Sequence, residues 1–191
     1  MLKEFQDFGR DLFLAGLNSS HSGNLSVRLG DRIVITRRGA MLGRLNEGDL
    51  IETGLEKNDS NIILASTEIR VHRAIYQKTA ALAIVHAHPV HAIALSLKGE
   101  DIIPLDSEGA YLLHKIPVIS AEHTIGSQEL EATLPEALRE YKIVMVKGHG
   151  SFAVGQLLEE AYQWTSALEH IARIICLSGN GQGGEEGYRE W

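Results

Sequence analysis

The sequence predicts an α/β domain in which a central, mostly antiparallel sheet is flanked by helices, and three observations carry that expectation. Segments with helical hydrophobic spacing alternate with short β-rich runs along the whole chain. Two of these runs, at residues 25–28 and 32–36, meet across Gly30-Asp31 and read as a hairpin. Residues 80–85 and 142–146 are apolar enough to be buried strands. The chain has 191 residues, 44% of them hydrophobic and 23% charged, so one domain can bury a core without disulfide or metal staples.

Each element has its own warrant. Leu2, Phe5, Phe8, Leu12 and Phe13 fall at helical spacing over residues 2–17, and Gly16 and Asn18 mark the end. After the hairpin comes a strand at 49–53, a polar connection, and an edge strand expected at 61–64. Ser66 or Thr67 can cap a helix running to about residue 79, with Glu68 in its first turn near the positive end of the dipole. The run 80–85 continues into His86-Ala87-His88-Pro89, where proline stops the ladder. A helix at 90–97 carries His91 in its first turn, and residues 102–105 and 116–119 are extended, with one or two helical turns between them at 108–114. Residues 124–141 read as a helix with Ser127 as candidate cap and a possible break at Pro135. The strand at 142–146 ends in Gly148-His149-Gly150, and a long helix covers 156–177. Residues 1–178 form the domain and 179–191 a flexible tail.

Composition excludes several functions. A net charge of −7 argues against nucleic acid, whose phosphates need a basic surface. No apolar run has the length of a membrane span, and the N-terminus carries acids where a secretory signal needs an apolar core, so the expected location is the cytoplasm and no membrane partner is expected. The single cysteine, Cys176, lies in an apolar helical pattern and reads as core packing.

The chemistry concentrates at a few positions. His86 and His88 leave one face of a strand roughly 7 Å apart, as a pair of metal ligands or simply as strand-end side chains. Imidazoles suit a borderline divalent ion, with Zn²⁺ first. The strand returns antiparallel to the preceding helix, so its end comes back toward the helix start and Glu68 can meet the pair. His149, flanked by glycines that let the backbone approach closely and aim the side chain, is the third ligand. His72 lies one helical turn after Glu68 and is placed to orient it, while His91 and Glu169-His170 read as ordinary helix-surface residues. Gly23-Asn24 and Arg38-Gly39 are either turn chemistry or part of a binding site.

Taken in order, Gly23-Asn24-Leu25-Ser26, Thr36-Arg37-Arg38-Gly39, Ser66-Thr67-Glu68, His86-Ala87-His88 and Gly148-His149-Gly150 resemble the class II aldolase and adducin-head family, fuculose-1-phosphate aldolase type, over nearly the whole chain. The resemblance implies a three-layer α/β/α fold and a zinc-dependent lyase that cleaves a phosphorylated ketose by a retro-aldol step. It implies one divalent ion per chain on His86, His88 and His149. Glu68 is then the acid/base that also reaches the metal in the resting enzyme. Gly23, Asn24, Arg38, Gly39, Ser66 and Thr67 cradle the substrate phosphate. Arg37 and Arg38 stand where smaller residues are usual in the family, which strengthens anion binding. The family forms homotetramers with sites between subunits. The usual tyrosine after the helix that follows the histidine pair is replaced by Pro104-Leu105-Asp106-Ser107-Glu108, with Tyr111 nearby. Asp106, Glu108 or a tail residue such as Tyr188 of a neighbouring subunit then serves the aldehyde half.

The same triad is kept by a sugar acid phosphate decarboxylase, a methylthioribulose-phosphate dehydratase and a phosphopentose 4-epimerase. The non-enzyme alternative is an adducin-like interaction domain, which has no use for three histidines and Glu68 together.

Overall fold

The computed structural model describes residues 1–179; the expected tail and Tyr188 lie outside the described residues apart from Gly179. Seven strands form one sheet in the order β3-β2-β1-β4-β7-β6-β5. They are β1 Asn24–Leu29, β2 Arg32–Thr36, β3 Leu50–Gly54, β4 Ala83–Ala87, β5 Val118–Ile119, β6 Ile143–Val146 and β7 Gly150–Gly155. Every neighbouring pair is antiparallel except β5 with β6.

Strand periodicity puts alternate residues on opposite faces, and each face has its own core. Val34, Leu25, Val85 and Met145 pack with Phe5 and Leu12 of α1 (Leu2–Leu14), Ala92 of α3 (Val90–Ser96), Leu113 of α4 (Ser107–Leu113) and the apolar side of α6 (Leu158–Leu177). Ile33, Ile35, Ile84, Val144 and Phe152 pack with Ile69 and Ile75 of α2 (Ile69–Lys78) and Leu130 and Leu134 of α5 (Gln128–Ala137). This is the three-layer α/β/α arrangement.

Several local readings are corrected. Strand β7 falls where the sequence pattern assigns no element: Gly-Ser-Phe-Ala-Val-Gly has glycines at both ends, yet it lies in the sheet interior between β4 and β6. The expected edge strand at 61–64 is instead a 3₁₀ turn, Ser60–Ile63, because Asp59 caps it by accepting from the Asn61 N–H at 3.1 Å. Ile102 makes only an isolated bridge with Ile116. The α5 helix begins at Gln128, after Ser127 accepts from the Leu130 N–H at 3.2 Å, so residues 124–127, expected as its first turn, belong instead to a strap over 121–127. Pro135 sits inside that helix without breaking it. The α1 helix stops at Leu14 in a paired closure, with Gly16 N–H to the Phe13 carbonyl and Leu17 N–H to that of Leu12. Cys176 is exposed on α6, outside the core.

Candidate active site

The antiparallel return from α2 into β4 brings the far end of β4 back beside Glu68's end of the helix, and the chain's chemistry collects there. His86 is the penultimate residue of β4, paired in register with Asn24 of β1 and Phe152 of β7. Its ring stacks on Phe152 with centroids 4.2 Å apart. Its Nδ1 donates to the Ser151 carbonyl at 2.9 Å; a carbonyl only accepts, so the proton is on Nδ1 and the Nε2 lone pair faces outward. His88 follows the strand, held by its N–H to the Leu17 carbonyl (2.8 Å) and Asn18 Oδ1 (3.0 Å). His149 comes from the β6–β7 turn. A Cβ on Gly150 would come within 3.0 Å of the His88 ring and 3.2 Å of the His86 ring, so only glycine lets this turn close onto the pair.

The three imidazoles converge. Nε2 of His86 lies 3.1 Å from Nε2 of both His88 and His149, and the potential ligand atoms of the three all lie within 4.8 Å of one another. Four ligands placed tetrahedrally around zinc at about 2.0–2.1 Å have edges of roughly 3.3 Å, so the spacing fits such an ion. The electrostatics fit as well. Burial, and then the neighbouring imidazoles, push His86 well below its ordinary pKa and His88 down to about 4. Burial also lowers His149; the Thr124 backbone works the other way, although Nδ1 makes no well-formed hydrogen bond. At neutral pH all three are uncharged, the state in which imidazole binds metal.

Glu68 is buried at the N-terminal boundary of α2, and burial raises its carboxyl from 4.5 to about 7 against a lowering contribution from the Gly126 N–H. That N–H reaches both carboxylate oxygens, at 3.2 and 3.1 Å. Neither Ser66 nor Thr67 caps the helix as expected; Ser66 Oγ accepts from the Glu68 N–H at 3.3 Å. Ser66 and Asn24 are buried, with Asn24 Oδ1 unpaired, whereas Thr67, Arg38 and Gly39 are exposed. The three expected cradle segments are joined through Thr36: its Oγ1 accepts from the Leu25 N–H at 3.2 Å and its carbonyl from the Ser66 N–H at 3.2 Å. The Arg38 N–H adds a bond to the Leu64 carbonyl at 3.0 Å.

Other expectations fall away on contact. Arg37 is paired with Asp49, which accepts from Nε at 3.0 Å and Nη2 at 2.8 Å and balances its charge locally. Arg38 has no side-chain partner among the described residues. His72 does not orient Glu68: it is fully buried and bonds through Nδ1 to Ser26 Oγ at 2.7 Å, which in turn meets the Tyr76 hydroxyl at 2.7 Å. Glu169 is no solvated surface residue, for it accepts from the His91 and Ala92 N–H groups and caps α3. Asp106 caps α4, and with Glu108 it lines a cavity of about 640 Å³ against α6. Both therefore belong to the helix layer opposite Glu68. Ser151, Phe152, Asn18 and Gly126 were not legible as site residues, since each acts through a backbone or packing contact that only the fold creates.

The model of the class II aldolase and adducin N-terminal domain family matches residues 3–176. The chain belongs to this family. It is 32% identical over 179 residues to an L-fuculose phosphate aldolase of Methanocaldococcus jannaschii, covering 92% of this chain and 96% of that one. The L-fuculose phosphate aldolase of Escherichia coli is 30% identical over 165 residues, 83% of this chain and 74% of its own. The crystal structure of L-fuculose-1-phosphate aldolase from Thermus thermophilus superposes with a TM-score of 0.88 at 38% identity, covering 96% and 97% of the two chains. The protein is thus an enzyme of the class II aldolase type, a carbon–carbon lyase. Class II aldolases are metal-dependent, and this member has a three-histidine site. Among the described residues no helix is long and apolar enough to cross a membrane.

Proposed function

We propose that the protein is a zinc-dependent aldolase that cleaves a phosphorylated ketose of the fuculose-1-phosphate kind into dihydroxyacetone phosphate and a short aldehyde. The observation that carries this reading is the convergence of three neutral imidazoles with a buried carboxyl at the end of the sheet where Asn24, Arg38, Gly39 and Ser66 also gather. His86, His88 and His149 hold the ion, which when bound supplies Lewis-acid polarisation of a carbonyl oxygen. In the cleavage one carbon–carbon bond breaks. The hydroxyl of the departing half loses its proton to become the aldehyde, and the ketone half gains one at carbon. Glu68 moves the proton at that carbon, and a carboxyl near pH 7 is suited to carry it in either direction. Gly23, Asn24, Arg38, Gly39, Ser66 and Thr67 orient the phosphate with an amide side chain, hydroxyls, backbone N–H groups and one guanidinium.

The free guanidinium of Arg38 favours one second reading, a sugar acid phosphate decarboxylase in which it holds the carboxylate. The group serving the aldehyde half is assigned to a neighbouring subunit, because Asp106 and Glu108 sit in the opposite layer. A homotetramer with shared sites is therefore part of the proposal. Product analysis over a panel of ketose phosphates and sugar acid phosphates, with and without a chelator, tests it. Dihydroxyacetone phosphate released only with metal is the expected result; carbon dioxide from the acid panel selects the second reading.

A further inference from the structure

In this structure the Glu68 carboxylate does not join the cluster of ligand atoms formed by the three histidines; it rests on the Gly126 amide, which is shared almost equally between its two oxygens at 3.2 and 3.1 Å. The amide belongs to the strap of residues 121–127, which precedes the Ser127 cap of α5 and passes from the neighbourhood of His149 at Thr124 to Glu68 at Gly126. The strap is exposed at Glu122, His123 and Ile125 and half-buried at its other four residues, Gly126 among them, while Glu68 beside it is only 2% exposed. Gly126 has φ +55, and a Cβ there would lie 2.8 Å from the Thr67 carbonyl oxygen. An L side chain is thus opposed both by backbone conformation and by contact with the segment that leads into Glu68.

The geometry points to Gly126 as a positioning residue whose N–H parks the Glu68 carboxylate off the histidine cluster. It deepens the aldolase reading and rests on it only for the kinetic arm of the test. A proton-transferring carboxylate must be held within a fraction of an ångström of its target, and displacement by about 1 Å costs on the order of 10²-fold in rate.

Gly126→Ala forces the strap to shift. With metal loaded and a ketose phosphate as substrate, kcat should fall about 10- to 100-fold with KM within about twofold, the split expected when transition-state positioning and not ground-state binding is lost. Metal content should stay at about one ion per chain. A folded variant with wild-type kcat overturns the assignment, as does one whose only defect is a raised KM. A second measurement on metal-free, ¹⁵N-labelled protein near pH 8 needs neither turnover nor that variant. Glu68→Gln should move the Gly126 amide proton upfield, because a charge-assisted bond becomes a neutral one; an unmoved resonance overturns the assignment even if Gly126→Ala does not fold. A wild-type protein that cleaves no ketose phosphate defeats the functional reading, while the amide resonance still decides whether Gly126 holds Glu68.

Discussion

Glu68 shows how one residue's surroundings set its chemistry. Its carboxyl is raised from 4.5 to about 7 chiefly by burial, so between those values the native state holds a proton that the unfolded chain has released. The stability it contributes is complete below about pH 4.5 and is lost as pH rises through 7. Metal-free Glu68→Gln should therefore match metal-free wild type near pH 4.5 and exceed it by up to about 3 kcal/mol at pH 8, read from urea midpoints; the depressed histidines are common to both proteins and cancel. A difference that shrinks toward pH 8 would give the shift the wrong sign. With metal restored, the same variant should keep its ion and lose at least about 10²-fold in turnover, and near wild-type activity would move the proton transfer elsewhere. Arg38 discriminates between substrates. If it braces the phosphate, Arg38→Ala should weaken dihydroxyacetone phosphate binding by about 10- to 150-fold. If it reads a carboxylate, that affinity should hold while sugar acid decarboxylation disappears, and calorimetric titration of the variant separates the two.

At the scale of elements, the site depends on how strands and helices end. The β4 strand delivers His86 near its end and His88 just beyond, and Pro89 turns the chain into α3, whose first amides are capped by Glu169 reaching from α6. Glu169→Ala removes the acceptor of the His91 and Ala92 N–H groups and should cost about 1–2 kcal/mol in unfolding free energy, with metal content unchanged. A variant as stable as wild type would show that the cap is dispensable. Sequence patterns disclosed the elements that carry strong periodicity or composition: the opening helix, the hairpin, the apolar strands and α6. They failed at β7, where flanking glycines look like a loop although the strand lies in the sheet interior. They failed again at 124–127, where the helix was expected to start ahead of Ser127 although Ser127, the candidate cap, in fact opens it. The reading of 61–64 missed the Asp59 cap because a short apolar run fits an edge strand equally well.

Across the whole molecule, two cores on opposite faces of one sheet hold the end of β4 rigid, and the loops at that end supply the rest of the site. This explains which parts of the site were legible. His-x-His on a strand, Gly-His-Gly after another and a carboxylate at a helix start announce themselves by residue type, and the antiparallel return of β4 brings them together. Ser151, Phe152, Asn18 and Gly126 do not, because their contributions are a carbonyl, a ring face, an amide oxygen and a backbone N–H that any sequence position offers. The same physics accounts for Arg37 and His72, which are paired with Asp49 and with the Ser26–Tyr76 network. Subunit assembly belongs at this scale too: light scattering should give four chains per particle, and a monomer with full turnover would remove the shared-site proposal. The central claim, that three histidines from two strand ends hold a catalytic ion, is tested most directly by elemental analysis of purified wild type and of His86→Ala, His88→Ala and His149→Ala, with His91→Ala as control. About one divalent ion per chain is expected in wild type and control, with loss in each of the three variants; full metal in any two of those three would contradict the site.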